Sequence, residues 1–145
     1  MSDYNFQYSA RNQALGDTYS AGAAKNAYAQ FLARTRGTRK VEDLTRQYEQ
    51  QTPRFVSSFS KRRLAGPGVS SGIYKNALNR FAEANMLGTT RARQDTAGEV
   101  RQLELDATDL LAQYNRGLVN SEQQKNADMA RQAAMLNSFK PFIGG

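Results

Sequence analysis

Apolar residues recur at three- and four-residue steps along most of the chain, and this spacing predicts a mostly helical protein. The first apolar stripe lies within 19–36 and consists largely of small side chains, which permit close approach of another helix. Gly37 interrupts it, and Thr38 is a suitable cap for a second helix that ends near Thr52. Pro53 opens a short third helix, because proline is favoured at the first helical position.

A run of Gly, Pro and Ser at 66–72 is the clearest loop signal, because proline cannot continue a helix and glycine permits a positive φ. It predicts a sharp corner, followed by a helix that ends near Gly88. The next element runs over about 91–138 without proline, and such a helix would be about 70 Å long. Gly98 and Gly117 each weaken it by about 1 kcal/mol relative to alanine, so we expect a bend or a break there.

Both ends of the chain differ from this pattern. In residues 1–18, aromatic residues alternate with polar ones, which favours an extended N-terminal arm laid on a neighbour over a lone strand. Residues 139–145 are apolar and contain Pro141, which predicts a non-helical C-terminal tail that docks on a partner. The predicted fold class is therefore all-α. Residues 19–138 form the helical domain, with several short helices followed by a long C-terminal helix, and extended arms lie at both ends of the chain.

Composition supports helices and suggests that the chain needs a partner. Twenty Ala, twelve Leu and twelve Gln stand against seven Val and Ile, and the first three lose least on entering a helix. Only 39% of the 145 residues are apolar, fewer than a self-sufficient core normally requires. No apolar window is long enough to span a membrane, and the N-terminus lacks the order of a signal peptide, so we expect synthesis in a cytoplasm.

The chain has no Cys, His or Trp, which excludes thiol nucleophiles, Cys/His zinc sites and Ser-His-Asp triads. Glu99, Glu104, Asp106 and Asp109 form the one cluster of carboxylates that could suggest glycosidic hydrolysis. They fall largely on the polar side of an amphipathic helix, which favours a solvated face. We therefore predict no catalytic residue, no metal site and no cofactor.

Basic charge is concentrated in the first two thirds of the chain. Residues 1–95 carry a net charge of +8 and residues 96–145 carry −1, for a total of +7 and a pI near 9.9. Two clusters are candidate contacts for nucleic-acid phosphates. Their members are Arg34, Arg36, Arg39, Lys40, Lys61, Arg62 and Arg63. The alternative is that they solvate helix ends or pair with acidic protein surfaces.

The helix-corner-helix unit around 66–72 also suggests two specific motifs. A DNA-reading helix-turn-helix usually has a turn of about three or four residues, so a seven-residue glycine-rich loop argues against that motif. The glycine spacing is superficially like a phosphate-binding loop, but no strand precedes it and the P-loop lysine is absent. A hinge or sharp corner is the favoured interpretation.

The stretch from Phe59 to Phe81 resembles a pattern found in helical virion proteins of tailed bacteriophages. In that pattern a basic helix ending in Leu-Ala is followed by a Gly- and Ser-rich corner and an Ala/Leu/Gln-rich helix. The matching positions are Arg63, Leu64, Ala65, Gly68, Ser71, Gly72, Ala77 and Leu78. The resemblance implies a small tail, connector or internal ejection protein that resides in the virion.

The leading hypothesis is a non-enzymatic structural subunit of a phage particle, packing on copies of itself or on a larger ring protein, with its basic part able to face genomic DNA. The predicted partner-binding residues are Val100, Leu103, Leu110, Tyr114, Leu118, Phe139, Phe142 and Ile143. One alternative is a small basic helical protein that binds duplex nucleic acid without sequence preference. A second is a cytoplasmic adaptor or assembly chaperone that uses the long amphipathic helix.

Overall fold

A computed structural model describes residues 2–61 and 72–143, which form two α-helices. Helix α1 spans Ser2–Lys61 and helix α2 spans Gly72–Ile143, with no strand in either described range. The predicted all-α class is confirmed. The predicted corner at 66–72 lies outside the described residues except for Gly72, which begins α2.

The prediction of several short helices is wrong, because α1 continues through Gly37, Thr38, Thr52 and Pro53. Both predicted threonine caps are helix-interior residues. The Thr38 hydroxyl donates to the Arg34 carbonyl at 3.0 Å, and the Thr52 hydroxyl donates to the Tyr48 carbonyl at 2.7 Å. A threonine satisfied four residues back in this way need not end a helix.

Helix α2 is likewise continuous where the sequence predicts an end or a bend, at Gly88, Gly98 and Gly117. The Thr89 hydroxyl donates to the Met86 carbonyl at 3.0 Å, within the helix. At Gly117 the missing side chain leaves room for Leu15, whose Cδ2 lies 3.2 Å from where a Cβ would stand. Packing there offsets the low helix propensity of glycine.

The predicted extended arms are also wrong. Helix α1 begins at Ser2, so the segment predicted to be an arm is helical. The N-terminal part is held because Tyr8 is buried with its hydroxyl on Asp128. At the other end α2 continues through Pro141 to Ile143, and residues 144–145 of the predicted tail lie outside the described residues.

The chain divides into two compact units. The terminal unit contains Met1–Tyr28 and Glu104–Gly145, and the central unit contains Ala29–Leu103. Each is an antiparallel pairing of one part of α1 with one part of α2. In the terminal unit, for example, Tyr8 bonds to Asp128 whereas Tyr19 stacks on Tyr114.

The two helices of the central unit share an 11-residue repeat of buried and half-buried positions. On α1 these positions are Gln30, Ala33, Gly37, Val41, Leu44, Tyr48, Thr52, Phe55 and Phe59. On α2 they are Tyr74, Leu78, Phe81, Asn85, Thr89, Ala92, Thr96, Val100 and Leu103. Eleven residues in three turns give about 3.67 residues per turn, close to the 3.6 of a straight helix. The pairing therefore needs little supercoiling.

The terminal unit follows a seven-residue repeat instead. Its buried and half-buried α2 positions include Ala107, Tyr114, Ser121 and Asp128, each seven residues apart. On α1 the corresponding positions include Tyr8, Leu15 and Gly22. A seven-residue repeat is typical of left-handed helix pairing.

Candidate partner-binding and nucleic-acid interfaces

The helices of the central unit approach closely at Gly37. A Cβ placed on Gly37 would lie 2.8 Å from the Thr96 Cβ and nearer still to its Oγ1 and Cγ2. The buried and half-buried positions of the 11-residue repeat form the seam between the two helices. Ala33 and Ala92, the seam positions next to Gly37 and Thr96, are only 1% and 2% exposed. Small residues set this distance, and a larger side chain at position 37 would force the helices apart.

Five aromatic rings form a continuous series between α1 and α2 of the central unit. Tyr48 stacks on Phe81 with ring centroids 5.1 Å apart, and Phe81 stacks on Phe55 at 4.7 Å. Phe55 contacts Phe59 at 5.0 Å, and Phe59 meets Tyr74 edge-on at 5.4 Å. Stacked and edge-on pairs at these distances stabilise the helix pair beyond the area that they bury.

An open cleft of about 550 Å³ lies beside this aromatic series. Its lining residues are Phe55, Ile73, Asn76, Ala77, Arg80 and Phe81. Ile73 is 67% exposed, so an apolar side chain at the cleft lacks cover within the central unit.

A polar cluster fastens the terminal unit near the start of α1. The Tyr8 hydroxyl donates to a carboxylate oxygen of Asp128 at 2.5 Å, and the Arg11 guanidinium donates to Gln124 Oε1 at 2.7 Å. Arg131 lies 3.7 Å from the other Asp128 oxygen. The hydrogen bond to Asp128 raises the pKa of the Tyr8 hydroxyl, with burial adding to the effect.

Further along the terminal unit, the contacts are apolar. The rings of Tyr19 and Tyr114 stack at 4.9 Å, and Leu110 packs against the backbone at Gly22. Ser121 is 1% exposed, and its hydroxyl has no hydrogen-bond partner among residues 2–61 and 72–143.

The structure places five of the predicted partner-binding residues along the seams between α1 and α2. Val100 and Leu103 are half-buried in the central unit, and Leu110, Tyr114 and Leu118 are half-buried in the terminal unit. Leu110 and Tyr114 contact α1 of the same chain. The chain itself therefore covers part of the stripe that the sequence assigned to a partner.

Phe139, another predicted partner-binding residue, is 59% exposed, whereas the side chains of Phe142 and Ile143 lie outside the described residues. Two neighbours on α2, Met135 and Leu136, are each 60% exposed. The sequence places Leu136 on a sparse apolar face suited to a modest partner contact, but Met135 was missed, although its four-residue spacing to Phe139 was a usable signal.

Large apolar side chains are exposed throughout the described ranges, and fifteen have at least 39% of their surface open to solvent. They include Phe6, Met135, Leu136 and Phe139 in the terminal unit, and Phe31, Ile73, Met86 and Leu87 in the central unit. By contrast, the buried side chains of the described ranges are Tyr8, Asn26, Ala33, Ala92 and Ser121.

The predicted nucleic-acid-binding residues fall into different situations. Arg36 pairs with Glu99 at 2.9 Å, so one charge of the first cluster is already matched. Arg34, Arg39, Lys40 and Lys61 are exposed on α1, whereas Arg62 and Arg63 lie outside the described residues. The five described members belong to the central unit, and Lys61 lies 21 residues beyond Lys40 along α1.

Charge also separates between the two units. Residues 29–103, the central unit, hold fourteen Lys and Arg against six Asp and Glu, for a net +8. The terminal unit holds six against seven, for a net −1. The positive potential therefore belongs to the central unit.

The carboxylates considered from the sequence do not converge on a reaction site. Glu99 pairs with Arg36, and Glu104, Asp106 and Asp109 are exposed on α2. In the described part of the chain, no group of three or more Asp or Glu side chains is placed to hold a metal ion. Neither described helix has a stretch that is long and apolar enough to cross a membrane.

Comparison of the chain with protein-family models, with curated proteins and with solved structures yields no match.

Proposed function

We propose that this protein is a non-enzymatic structural subunit of a tailed-phage virion, whose helices complete their hydrophobic cores on copies of the chain or on a larger ring protein. The observation that carries the proposal is how few apolar side chains are buried. Among the described residues, the buried apolar side chains are Tyr8, Ala33 and Ala92, fewer than a helical chain with its own core would bury.

The exposed apolar side chains also support assembly. Fifteen large apolar side chains of the described ranges are open to solvent, and they occur in both units. Single exposed apolar residues are ordinary, but groups such as Met135, Leu136 and Phe139 mark surfaces that other chains cover. Additional helices from other subunits can cover them with the same packing that joins α1 to α2.

The virion setting rests on the resemblance of the Phe59 to Phe81 stretch to helical phage proteins. Two long, Ala- and Gln-rich helices without Cys or His suit a building role, since such a chain contributes packing surfaces and no reactive group.

The test of assembly is the mass of the purified full-length chain by light scattering at low and high salt. We expect one discrete oligomer that resists salt, because apolar packing strengthens rather than weakens with salting-out ions. A monomer at every protein concentration would overturn the structural role. The virion setting has a separate test, mass spectrometry of purified particles of the phage that encodes the chain, and absence from them would overturn that setting alone.

A further inference from the structure

The outward face of α1 in the central unit carries a stripe of four basic residues that sequence clustering does not reveal. They are Arg39, Arg46, Arg54 and Lys61, separated by seven, eight and seven residues. At 3.6 residues per turn these spacings place all four within an arc of about 80°. The arc lies opposite the seam positions Gly37, Val41, Leu44, Tyr48 and Phe55. We call this set the α1 basic stripe.

The four side chains of the α1 basic stripe are exposed and have no bonding partner in the described ranges. None of them forms a hydrogen bond or ion pair with another residue of the described ranges, in contrast to Arg36, which pairs with Glu99. One acidic residue, Asp43, lies in the same arc between Arg39 and Arg46. The arc therefore carries a net charge of +3, and Glu42 and Glu49 lie just outside its edge.

From these observations we infer that the α1 basic stripe binds the phosphate backbone of duplex nucleic acid without reading its sequence. The stripe extends from Arg39 to Lys61, 22 residue steps or about 33 Å, close to one turn of B-form duplex. Three of its four members are arginines, whose planar guanidinium groups match phosphate oxygens in pairs. A row of spaced charges of this length suits a polyanion with regularly repeated charges better than a single small anion.

The neighbours of the stripe argue against two other anionic partners. Gln50 and Ser57 occupy the arc between the basic residues, so it has no large apolar side chain to insert into a lipid surface. The arc also lacks the aromatic rings on which the bases of a single strand stack. Duplex phosphates are therefore the partner that fits an arc with basic side chains and without large apolar or aromatic ones.

The test compares two matched double variants by fluorescence anisotropy with a 20-base-pair duplex over a salt series. R46Q/R54Q removes two stripe charges, whereas K25Q/R116Q removes two exposed charges of the terminal unit. Glutamine keeps a high helix propensity, and circular dichroism verifies that both variants remain helical. Four phosphate contacts predict about a 150-fold loss of affinity between 50 and 200 mM salt, and two contacts predict about 12-fold.

We expect R46Q/R54Q to show the smaller salt dependence and K25Q/R116Q to keep that of the natural chain. An equal reduction in both variants would overturn the inference, because it would show a response to net charge alone. An unchanged slope in R46Q/R54Q would overturn it as well. The inference would also be overturned if R46Q/R54Q lost binding to vesicles of anionic phospholipid while its duplex binding stayed unchanged. The solution mass of the chain does not enter this test, so its outcome is independent of the structural role proposed above.

Discussion

Gly37 of α1 faces Thr96 of α2 with no room for a methyl group between them. A Cβ on Gly37 would stand 2.8 Å from the Thr96 Cβ, closer than real Cβ atoms approach one another. Glycine costs about 1 kcal/mol in a helix relative to alanine, so its place here depends on the packing that it permits. This close approach in the central unit therefore depends on the residue that, from the sequence alone, suggests a helix end.

Gly37→Ala is expected to lower the free energy of unfolding by about 1–3 kcal/mol, because the added methyl overpacks the seam. Gly98→Ala is the matched control. Nothing lies within 4 Å of a Cβ at Gly98, so that change should raise the free energy of unfolding by about 1 kcal/mol. Urea unfolding at one fixed protein concentration measures both. Stabilisation of similar size in the two variants would contradict the close approach.

Much of the fold could be predicted from the helical spacing of apolar residues, but the helix boundaries could not. Thr38 and Thr52 have the chemistry of caps, and in the structure the same hydroxyls bond to carbonyls within the helix. A local pattern does not separate these uses, because the choice depends on packing against residues more than fifty positions away, as at Gly37 and Thr96.

The candidate interfaces were predictable to a similar degree. Phe139 was found from its apolar setting, whereas Leu110 and Tyr114 proved to pack on α1 of the same chain. Arg46 and Arg54 were missed because they stand alone in the sequence and become neighbours of Arg39 and Lys61 only through the helical period.

Tyr8 predicts a specific response to alkaline pH. Its hydrogen bond to Asp128 raises the pKa of the Tyr8 hydroxyl above the ordinary value of 10.0, so the folded state holds this proton more tightly than the unfolded state. The stabilisation of the folded state by this hydrogen bond is complete below pH 10. It is lost as the pH rises through the folded-state pKa of the Tyr8 hydroxyl. The free energy of unfolding should therefore fall with pH above 10 more steeply in the natural chain than in Tyr8→Phe.

Tyr4→Phe provides the control for that titration, since Tyr4 is 39% exposed and has no hydrogen bond within the described ranges. It should retain the alkaline loss of stability seen in the natural chain. Parallel curves for Tyr8→Phe and the natural chain above pH 10 would show that the Tyr8 to Asp128 bond does not stabilise the fold.

Phe81 joins Tyr48 to Phe55 in the aromatic series of the central unit, with ring centroids 5.1 and 4.7 Å away. Phe81→Ala removes both stacked contacts and is expected to cost about 2–4 kcal/mol, near the lower end for aromatic truncation because the ring is half-buried. Phe81→Leu keeps apolar volume and should cost less. Equal losses of stability for the two variants in thermal unfolding would show that the stacked rings do not stabilise the helix pair beyond their apolar volume.

The exposed group of Met135, Leu136 and Phe139 predicts a change in assembly without a change in helix content. Replacing all three with glutamine should shift the particle mass toward the monomer, because partner contacts lose their apolar surface. A matched triple replacement of the exposed polar residues Asn115, Asn120 and Gln123 with alanine should leave the mass unchanged. Light scattering and circular dichroism together separate lost assembly from lost folding.

Methionine oxidation tests most directly whether other chains cover the exposed apolar surface. Met86 of the central unit is 68% exposed and Met135 of the terminal unit is 60% exposed. Brief peroxide treatment of the full-length chain, read by mass spectrometry at high and low protein concentration, reports the access of solvent to each sulfur. The proposed structural role predicts that both methionines are protected at high concentration and react freely after dilution. Full reactivity of both at every concentration would contradict it.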